Sequence, residues 1–165
     1  MDDLKQNIQN AKELLQTVRH AAMATVNEDN SPHNTPFFFL YNPELTKIYW
    51  GSHTDSLHSR NVLRTGQIFV VLYDSKNVKL GGLYIKAGNA NVLNGDELDT
   101  ALKIHNEFRA KEGKKPLEKE YYTGDSPQKM WSADITNLWV LRGDRNSNGL
   151  IIQEHRQEIT ANNLL

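Results

Sequence analysis

The chain has no cysteine among its 165 residues, which excludes disulfides, thiolate metal sites and cysteine nucleophiles and is typical of a reducing compartment. It also has no excess of charge of either sign: 19 Lys and Arg residues stand against 20 Asp and Glu residues, for a formal net charge of -1. A chain with balanced charge has no general attraction for nucleic acid phosphates. We therefore expect no nucleic acid partner.

Long apolar runs are missing as well. No stretch approaches the length needed to cross a bilayer, and residues 1–5 are acidic and polar where a secretion signal would be basic and then apolar. These absences predict a cytoplasmic protein with no membrane partner. The length and a hydrophobic fraction of 38% suit one domain over residues 1–165 with a single core.

Hydrophobic spacing predicts three helices. Over residues 1–19, apolar side chains recur three and four residues apart, as on one face of an amphipathic helix; they are Leu4, Ile8, Ala11, Leu15 and Val18. A second helix is predicted over 57–65, ended by Gly66, and a third over 94–111. Residues 112–129 are charged and contain two glycines and two prolines, which predicts an exposed loop or lid.

Short aromatic and β-branched segments separated by polar turns predict six or seven strands. They lie at 21–26, 32–41, 47–50, 67–73, 83–92, 135–141 and 149–153. Alternation over 83–92 places one set of side chains on the same face, namely Tyr84, Lys86, Gly88, Ala90 and Val92. Consecutive hairpins with few long crossovers favour a mainly β, α+β fold, a small antiparallel barrel with flanking helices.

The junction between the strand at 47–50 and the helix at 57–65 is the main candidate for chemistry. The hydroxyls of Ser52, Thr54 and Ser56 lead directly into a helix. A helix start offers unpaired backbone N–H groups and a partial positive charge, which suit an anion such as phosphate. His58 and Arg60 lie in the first turns and would add charge. The alternative interpretation is that the polar residues only cap the helix.

Histidines, glycines and tryptophans point to no second site. The six histidines include no pair four residues apart on a helix, so we expect no metal site. No glycine-rich phosphate loop is present, which argues against nucleotide hydrolysis and Rossmann-type binding. Trp131 and Trp139 are interpreted as packing residues, whereas Trp50 borders the polar junction and is equally compatible with packing and with ligand contact.

Five segments form an ordered series of motifs. They are residues 24–36 (ATVNEDNSPHNTP), 47–52 (KIYWGS), 55–62 (DSLHSRNV), 68–74 (IFVVLYD) and 83–90 (LYIKAGNA). Taken in this order, they resemble the FMN-binding split β-barrels related to pyridoxamine 5'-phosphate oxidase. The first is similar to the opening hairpin of that family, the second and third to its third strand and following helix, and the last two to its fourth and fifth strands. The resemblance covers residues 20–93, and its specificity comes from order and spacing.

The resemblance implies a split barrel that forms a homodimer with two FMN sites at the subunit interface. It places the flavin ring against the backbone of the second strand, at Thr35, Pro36, Phe37 and Phe38. It places the phosphate at the end of the third strand and the start of the next helix, at Trp50, Gly51, Ser52, Ser56, Leu57, His58 and Ser59. The implied function is that of an FMN-dependent oxidoreductase that transfers hydride through the flavin, with NADH or NADPH as a possible donor.

The chain departs from the pyridoxamine phosphate oxidases in three places. Those enzymes carry Arg-Lys where Leu57 and His58 stand, and an arginine where Thr35 stands. Their C-terminal Arg-x-His-type segment is replaced by Glu154-His155-Arg156. We therefore expect a substrate other than vitamin B6 phosphate. The alternatives are a non-catalytic flavin carrier or sensor, the same barrel binding haem or a deazaflavin, and a purely structural dimer.

Overall fold

A computed structural model describes residues 3–165, which contain four α-helices and eight strands. The helices are α1 (Asp3–Thr17), α2 (Leu57–Thr65), α3 (Gly95–Lys111) and α4 (Ala161–Leu164). The strands are β1 (His20–Val26), β2 (Pro32–Phe38), β3 (Leu40–Tyr41), β4 (Lys47–His53), β5 (Ile68–Leu72), β6 (Leu83–Val92), β7 (Gln128–Arg145) and β8 (Ile151–Ile159). Residues 1 and 2 of the predicted N-terminal helix lie outside the described part.

The eight strands form one antiparallel sheet in the order β2-β1-β5-β6-β7-β4-β3, and β8 pairs with β7. The predicted α+β split barrel with flanking helices is therefore confirmed. The predicted number of six or seven strands was too low, because Phe39 interrupts the segment at 32–41. The backbone N–H of Phe39 donates to the carbonyl of Arg19 at 2.8 Å. β2 consequently ends before Phe39, and β3 begins after it with a different partner.

The core lies inside the barrel and beneath α1. Inward-facing strand residues such as Met23, Ile48 and Ile85 are fully buried. α1 contributes Leu14 and Leu15 to the same cluster, which explains why its apolar residues share one face. None of the described helices combines the length and the apolar character that a membrane span requires.

The last two strands are longer than predicted. β7 extends beyond 135–141 in both directions, because its first half pairs with β4 and β6 and its second half with β6 and β8. Backbone pairing with β8 extends β7 through its polar C-terminal end, where Arg142 lies opposite His155. The segment Glu154–Arg156 therefore belongs to β8, although the strand predicted there ended at residue 153.

β6 has the predicted bounds but not the predicted faces. Its buried side chains alternate up to Ala87, after which Ala90 is buried and breaks the alternation. The pairing with β7 shifts register after Gly88, and Asn89 adopts a φ of 51°. This bulge turns the strand, so the predicted placement of Ala90 on the same face as Tyr84 was wrong.

α2 has the predicted bounds because both of its ends are capped. The Ser56 side chain accepts a hydrogen bond from the N–H of Ser59. Gly66 ends the helix with a φ of 63°, a conformation that costs glycine little, and its N–H donates to the carbonyl of Val62. The caps fix the start of α2 close to the end of β4.

The segment at 112–129 is exposed along most of its length, but it contains an ordered part. A short 3₁₀ turn spans Lys119–Tyr122, and only 3% of Tyr122 is exposed. The Asn106 amide on α3 donates to the carbonyl of Leu117 and accepts from its N–H. The segment is thus attached to α3 and to the barrel.

Candidate functional site

The barrel is split between β2 and β4. Leu40 and Tyr41 of β3 pair with β4. On the N-terminal side of Phe39, however, β2 pairs only with β1 among the described residues. The end of β4 likewise pairs only with β7. Residues 35–38 and 50–53 therefore form two strand edges with no ladder between them. A ligand in this gap would meet backbone donors and acceptors from both edges.

A cluster of hydroxyls adjoins the split where β4 leads into α2. It consists of Ser52, Ser56, His58 and Ser59, and we call it the serine cluster. Ser52 Oγ lies 2.6 Å from His58 Nε2 and 3.3 Å from Ser56 Oγ. Ser56 Oγ donates to Ser59 Oγ at 2.8 Å, and Ser59 Oγ donates to Ser52 Oγ at 3.2 Å. The fold thus brings together four of the residues that were predicted to hold a phosphate.

The members of the serine cluster differ in how far a ligand can reach them. Ser59 is fully buried and Ser52 is 7% exposed, so both support the cluster from the inside. Ser56 and His58 are only half-buried. Ser59, which was predicted to contact the phosphate, hydrogen-bonds to Ser52 and Ser56 in this structure.

The first turn of α2 adds backbone donors to the serine cluster. The N–H groups of Leu57 and His58 precede the first intrahelical hydrogen bond, and the partial positive charge of the helix start lies at the same place. The Leu57 side chain is exposed and adds no polar group. Burial and the nearby His33 lower the pKa of His58 below its ordinary value. At pH 7 the cluster therefore offers neutral donors.

The β2 residues that were predicted to contact the flavin ring have side chains on both faces of the strand. Phe37 is buried in the core and packs edge-on against Trp50, with ring centroids 6.1 Å apart. Thr35 is half-buried and Pro36 is exposed, and both line an open cavity of about 370 Å³ beside Tyr73. What β2 presents to the split is therefore mainly its backbone.

The tryptophans divide between the core and the outer surface. Trp50 and Trp131 are fully buried and stacked, with ring centroids 6.2 Å apart. Trp131 Nε1 donates to the carbonyl of Ser52 at 3.2 Å, whereas Trp50 Nε1 is buried without a hydrogen-bond partner among the described residues. Trp50 can therefore meet a ligand only through its backbone. Trp139 lies outside the barrel and stacks on Phe69.

A row of aromatic side chains, which was not predicted from the sequence, lies across the outer side of the split. The Phe38 ring is 5.5 Å from that of His105 on α3, and His105 Nδ1 is 3.2 Å from the Tyr122 hydroxyl. Tyr122 packs on Gly51, where a Cβ would lie 3.1 Å from the phenol oxygen. We call Phe38, His105 and Tyr122 the aromatic bridge, because they connect the two edges. A glycine within a strand was the only signal of this close approach.

Burial determines the protonation states of His105 and Tyr122 in the aromatic bridge. It lowers the pKa of His105 to about 4 and raises the pKa of Tyr122 to about 12. At pH 7 the phenol therefore keeps its proton and the imidazole is neutral, and the two groups share a hydrogen bond of 3.2 Å between the hydroxyl and Nδ1. The bridge is neutral over the physiological range.

Replacing Gly51 with alanine should displace Tyr122 from the strand. The new methyl group would lie 3.1 Å from the phenol oxygen and 3.3 Å from Cε1, and His105 holds that oxygen in place. We expect the free energy of unfolding to fall by about 1 kcal/mol in urea denaturation. Gly88→Ala is the matched control, because a Cβ there meets nothing nearer than 3.9 Å. Equal losses in the native and Tyr122→Phe backgrounds would contradict this explanation.

These features define the class of protein. It is an antiparallel α+β split barrel in which the junction between β4 and α2, beside the split, offers donors that suit an anion. The sequence profile of the family described as pyridoxamine 5'-phosphate oxidase matches residues 8–142, which include the serine cluster and the aromatic bridge. The chain belongs to this family. No curated protein matches the chain significantly.

Solved structures of low sequence identity share the fold. A haem-binding protein from Mycobacterium smegmatis has a TM-score of 0.63 at 14% identity, over 96% of this chain and 59% of that protein. A Clostridium acetobutylicum protein related to general stress protein 26, of the pyridoxinephosphate oxidase family, has a TM-score of 0.62 at 13% identity, over 94% and 96%. A haem storage protein from Vibrio cholerae has a TM-score of 0.59 at 20% identity, over 78% and 90%. The chain thus spans less than two thirds of the Mycobacterium protein, and these identities show the fold alone.

Proposed function

We propose that the protein binds FMN in the split and acts as a flavin-dependent oxidoreductase on a substrate still to be identified. The serine cluster carries the proposal. The hydroxyls of Ser52 and Ser56, the His58 imidazole and the start of α2 meet beside a gap between two strand edges. Helix starts with added hydroxyls suit phosphate. Membership of the pyridoxamine 5'-phosphate oxidase family supports the same ligand.

The donor set fits a flavin mononucleotide. Ser56, His58 and the N–H groups of the first turn of α2 would hold the phosphate, and the backbone of 35–38 would hold the ring. Bound FMN supplies the chemistry of hydride transfer. The residues of the chain bind and orient it, and the aromatic bridge shields the outer side of the split. Among residues 3–165, no three His, Asp or Glu side chains are grouped to hold a metal ion.

The homodimer implied by the family is proposed on the outer face of β5, β6 and β7. Phe69, Tyr84 and Trp139 are half-buried there. The Arg156 guanidinium lies 5.0 Å from the ring centroid of Phe69 and 4.3 Å from that of Tyr84. Aromatic residues and arginine are enriched at protein interfaces. A second copy on this face would cover the aromatic rings next to β1 and β2 and enclose the flavin sites.

FMN titration with flavin fluorescence as the readout tests the proposal. Ser56→Ala should weaken FMN binding about tenfold, because a hydrogen bond to a charged group is lost. The same change should leave riboflavin affinity nearly unaltered, since riboflavin has no phosphate. Ser75→Ala, in an exposed turn, is the control. Light scattering of the same preparation should give a dimer of the 18.9 kDa chain.

The outcomes separate the candidate functions. Failure to bind FMN, or equal affinity for FMN and riboflavin, would refute a phosphate site at the serine cluster. Bleaching of the bound flavin by NADH or NADPH would identify an oxidoreductase. Stable FMN binding that neither donor reduces would instead indicate the carrier or sensor.

Haem is the second candidate, because two of the structural neighbours are described as haem proteins. Haem needs a side-chain ligand, and His58 and His155 are the residues to replace first. His58 is engaged in the serine cluster, and His155 Nδ1 lies 3.7 Å from Asp144 on the β7–β8 hairpin. A haem titration with a strong Soret band that disappears in one of these variants would favour haem over FMN.

A further inference from the structure

Within the part of the chain that the structure describes, no permanent cation hydrogen-bonds to the serine cluster. Arg60 on α2 donates through Nη1 to the backbone carbonyl of Asp55 at 2.5 Å. His53 at the end of β4 places Nδ1 2.9 Å from the Asp55 carboxylate. Opposite them on β7, Lys129 donates to a loop carbonyl. Arg60 and Lys129 thus each donate to a backbone carbonyl outside the serine cluster.

Two histidines remain to balance the charge of a ligand. His58 belongs to the serine cluster, and His33 on β2 is close enough to act on its charge. A phosphate monoester carries close to two negative charges above pH 7. Neutral hydroxyls and N–H groups can donate to it but leave that charge uncompensated. Within the described part of this chain, we therefore expect the positive charge to come from protonation of an imidazole.

His58 lies within hydrogen-bond distance of two hydroxyls of the serine cluster. Its Nε2 is 2.6 Å from Ser52 Oγ and 3.2 Å from Ser56 Oγ. Because a hydroxyl can donate or accept, a neutral imidazole is satisfied here in either tautomer. Without a ligand, burial and His33 favour this neutral form, which has one ring nitrogen directed into the cluster.

We propose that His58 takes up a proton when a phosphate monoester binds, so that the serine cluster becomes cationic only with its ligand present. The proposal rests on the proposed binding of FMN. Once both ring nitrogens carry a proton, His58 Nε2 can only donate, and it would donate to a phosphate oxygen beside the Ser56 hydroxyl. One proton is taken from solvent for each phosphate bound, and no covalent bond forms or breaks.

The sign of the pH dependence follows from this exchange. A dianion within hydrogen-bond distance favours imidazolium and raises the pKa of His58 in the complex, whereas burial and His33 lower it in the free protein. Affinity must therefore fall as pH rises and His58 deprotonates in the complex. Between pH 7 and pH 9 the phosphate itself stays a dianion, so the change belongs to the protein.

The test is FMN binding at pH 7, 8 and 9, with calorimetry at pH 8 in two buffers of different ionisation enthalpy. We expect FMN affinity to fall about tenfold from pH 7 to pH 9, and an uptake of roughly half to one proton per FMN at pH 8. Riboflavin, which lacks the phosphate, should show neither effect.

Two variants assign the proton to its residue. His58→Lys supplies a cation that stays charged through pH 9, so FMN affinity should become nearly independent of pH and proton uptake should vanish. His58→Gln should bind FMN about tenfold more weakly at pH 7, again without proton uptake. Proton uptake that is absent in the native protein, or retained in His58→Lys, would overturn the proposal alone. Failure of the native protein to bind FMN at any pH would overturn the proposed function with it.

Discussion

Trp131→Ala should lower the free energy of unfolding by about 3–5 kcal/mol. The indole is fully buried and stacks on Trp50 at 6.2 Å between centroids, with 13° between the ring planes. Alanine would leave a cavity that the β4–β7 ladder, which places these two residues opposite each other, cannot close without losing its register. Urea denaturation followed by circular dichroism measures the loss.

A pair of conservative variants separates the ring of Trp131 from its hydrogen bond. Trp131→Phe keeps an aromatic ring but removes the donor to the Ser52 carbonyl. Trp50→Phe makes the same change at an N–H group that has no partner among the described residues. Trp131→Phe should therefore be more destabilising than Trp50→Phe by about 1 kcal/mol. Equal losses would mean that the bond to Ser52 contributes nothing.

The hydrogen bond from Trp131 to Ser52 links the core to the proposed ligand site. Ser52 is the cluster member held by both Trp131 and Ser59, and all three residues are nearly or fully buried. The packing of the barrel thus fixes the inner half of the serine cluster, while the half-buried Ser56 and His58 stay accessible to a ligand.

The serine cluster could be predicted because its determinants are local in sequence. Ser56 and Gly66 cap α2, so its bounds at 57–65 follow from the residues just outside it. Once the helix starts at Leu57, the hydroxyls on either side of that start must lie close together. The sequence does not show which of these hydroxyls a ligand can reach, because the burial of Ser59 depends on how α2 packs on the barrel.

The strand boundaries that were missed depend on partners rather than on side chains. Residues 128–134 have little β-branched character, yet they form a ladder with β4 along its whole length. Phe39 lies in an aromatic run typical of a continuous strand, but its N–H bonds to Arg19. The face change at Ala90 follows the left-handed conformation of Asn89. Each of these depends on a contact distant in sequence.

The aromatic bridge was missed for the same reason. His105 lies in the helix predicted over 94–111, to which no site was assigned, and Tyr122 falls in the segment predicted to be an exposed loop. Their hydrogen bond and the contact with Gly51 exist only because α3 packs on the outside of β3 and β4. Periodicity within α3 shows which face is apolar, but not which strand that face covers.

Acid should destabilise the protein through the aromatic bridge. Burial lowers the pKa of His105 from 6.5 to about 4, so the unfolded chain binds a proton there before the folded protein does. This contribution is fully present above pH 6.5 and is lost as the pH falls towards 4. The shift corresponds to about 3 kcal/mol at most, and solvent screening of the partly exposed ring reduces it to about 2 kcal/mol.

His105→Gln isolates this contribution from the carboxyl groups that titrate in the same range. The difference in free energy of unfolding between the native protein and the variant should shift by about 2 kcal/mol in favour of the variant between pH 7 and pH 4. Tyr122→Phe is the control: it removes the hydrogen bond to Nδ1 but leaves the ring buried, so it should keep the native pH dependence. His58 is present in all three proteins, so its own titration cancels. A difference between the native protein and His105→Gln that stays constant across this range would show that the imidazole is protonated as easily in the folded protein as in the unfolded chain.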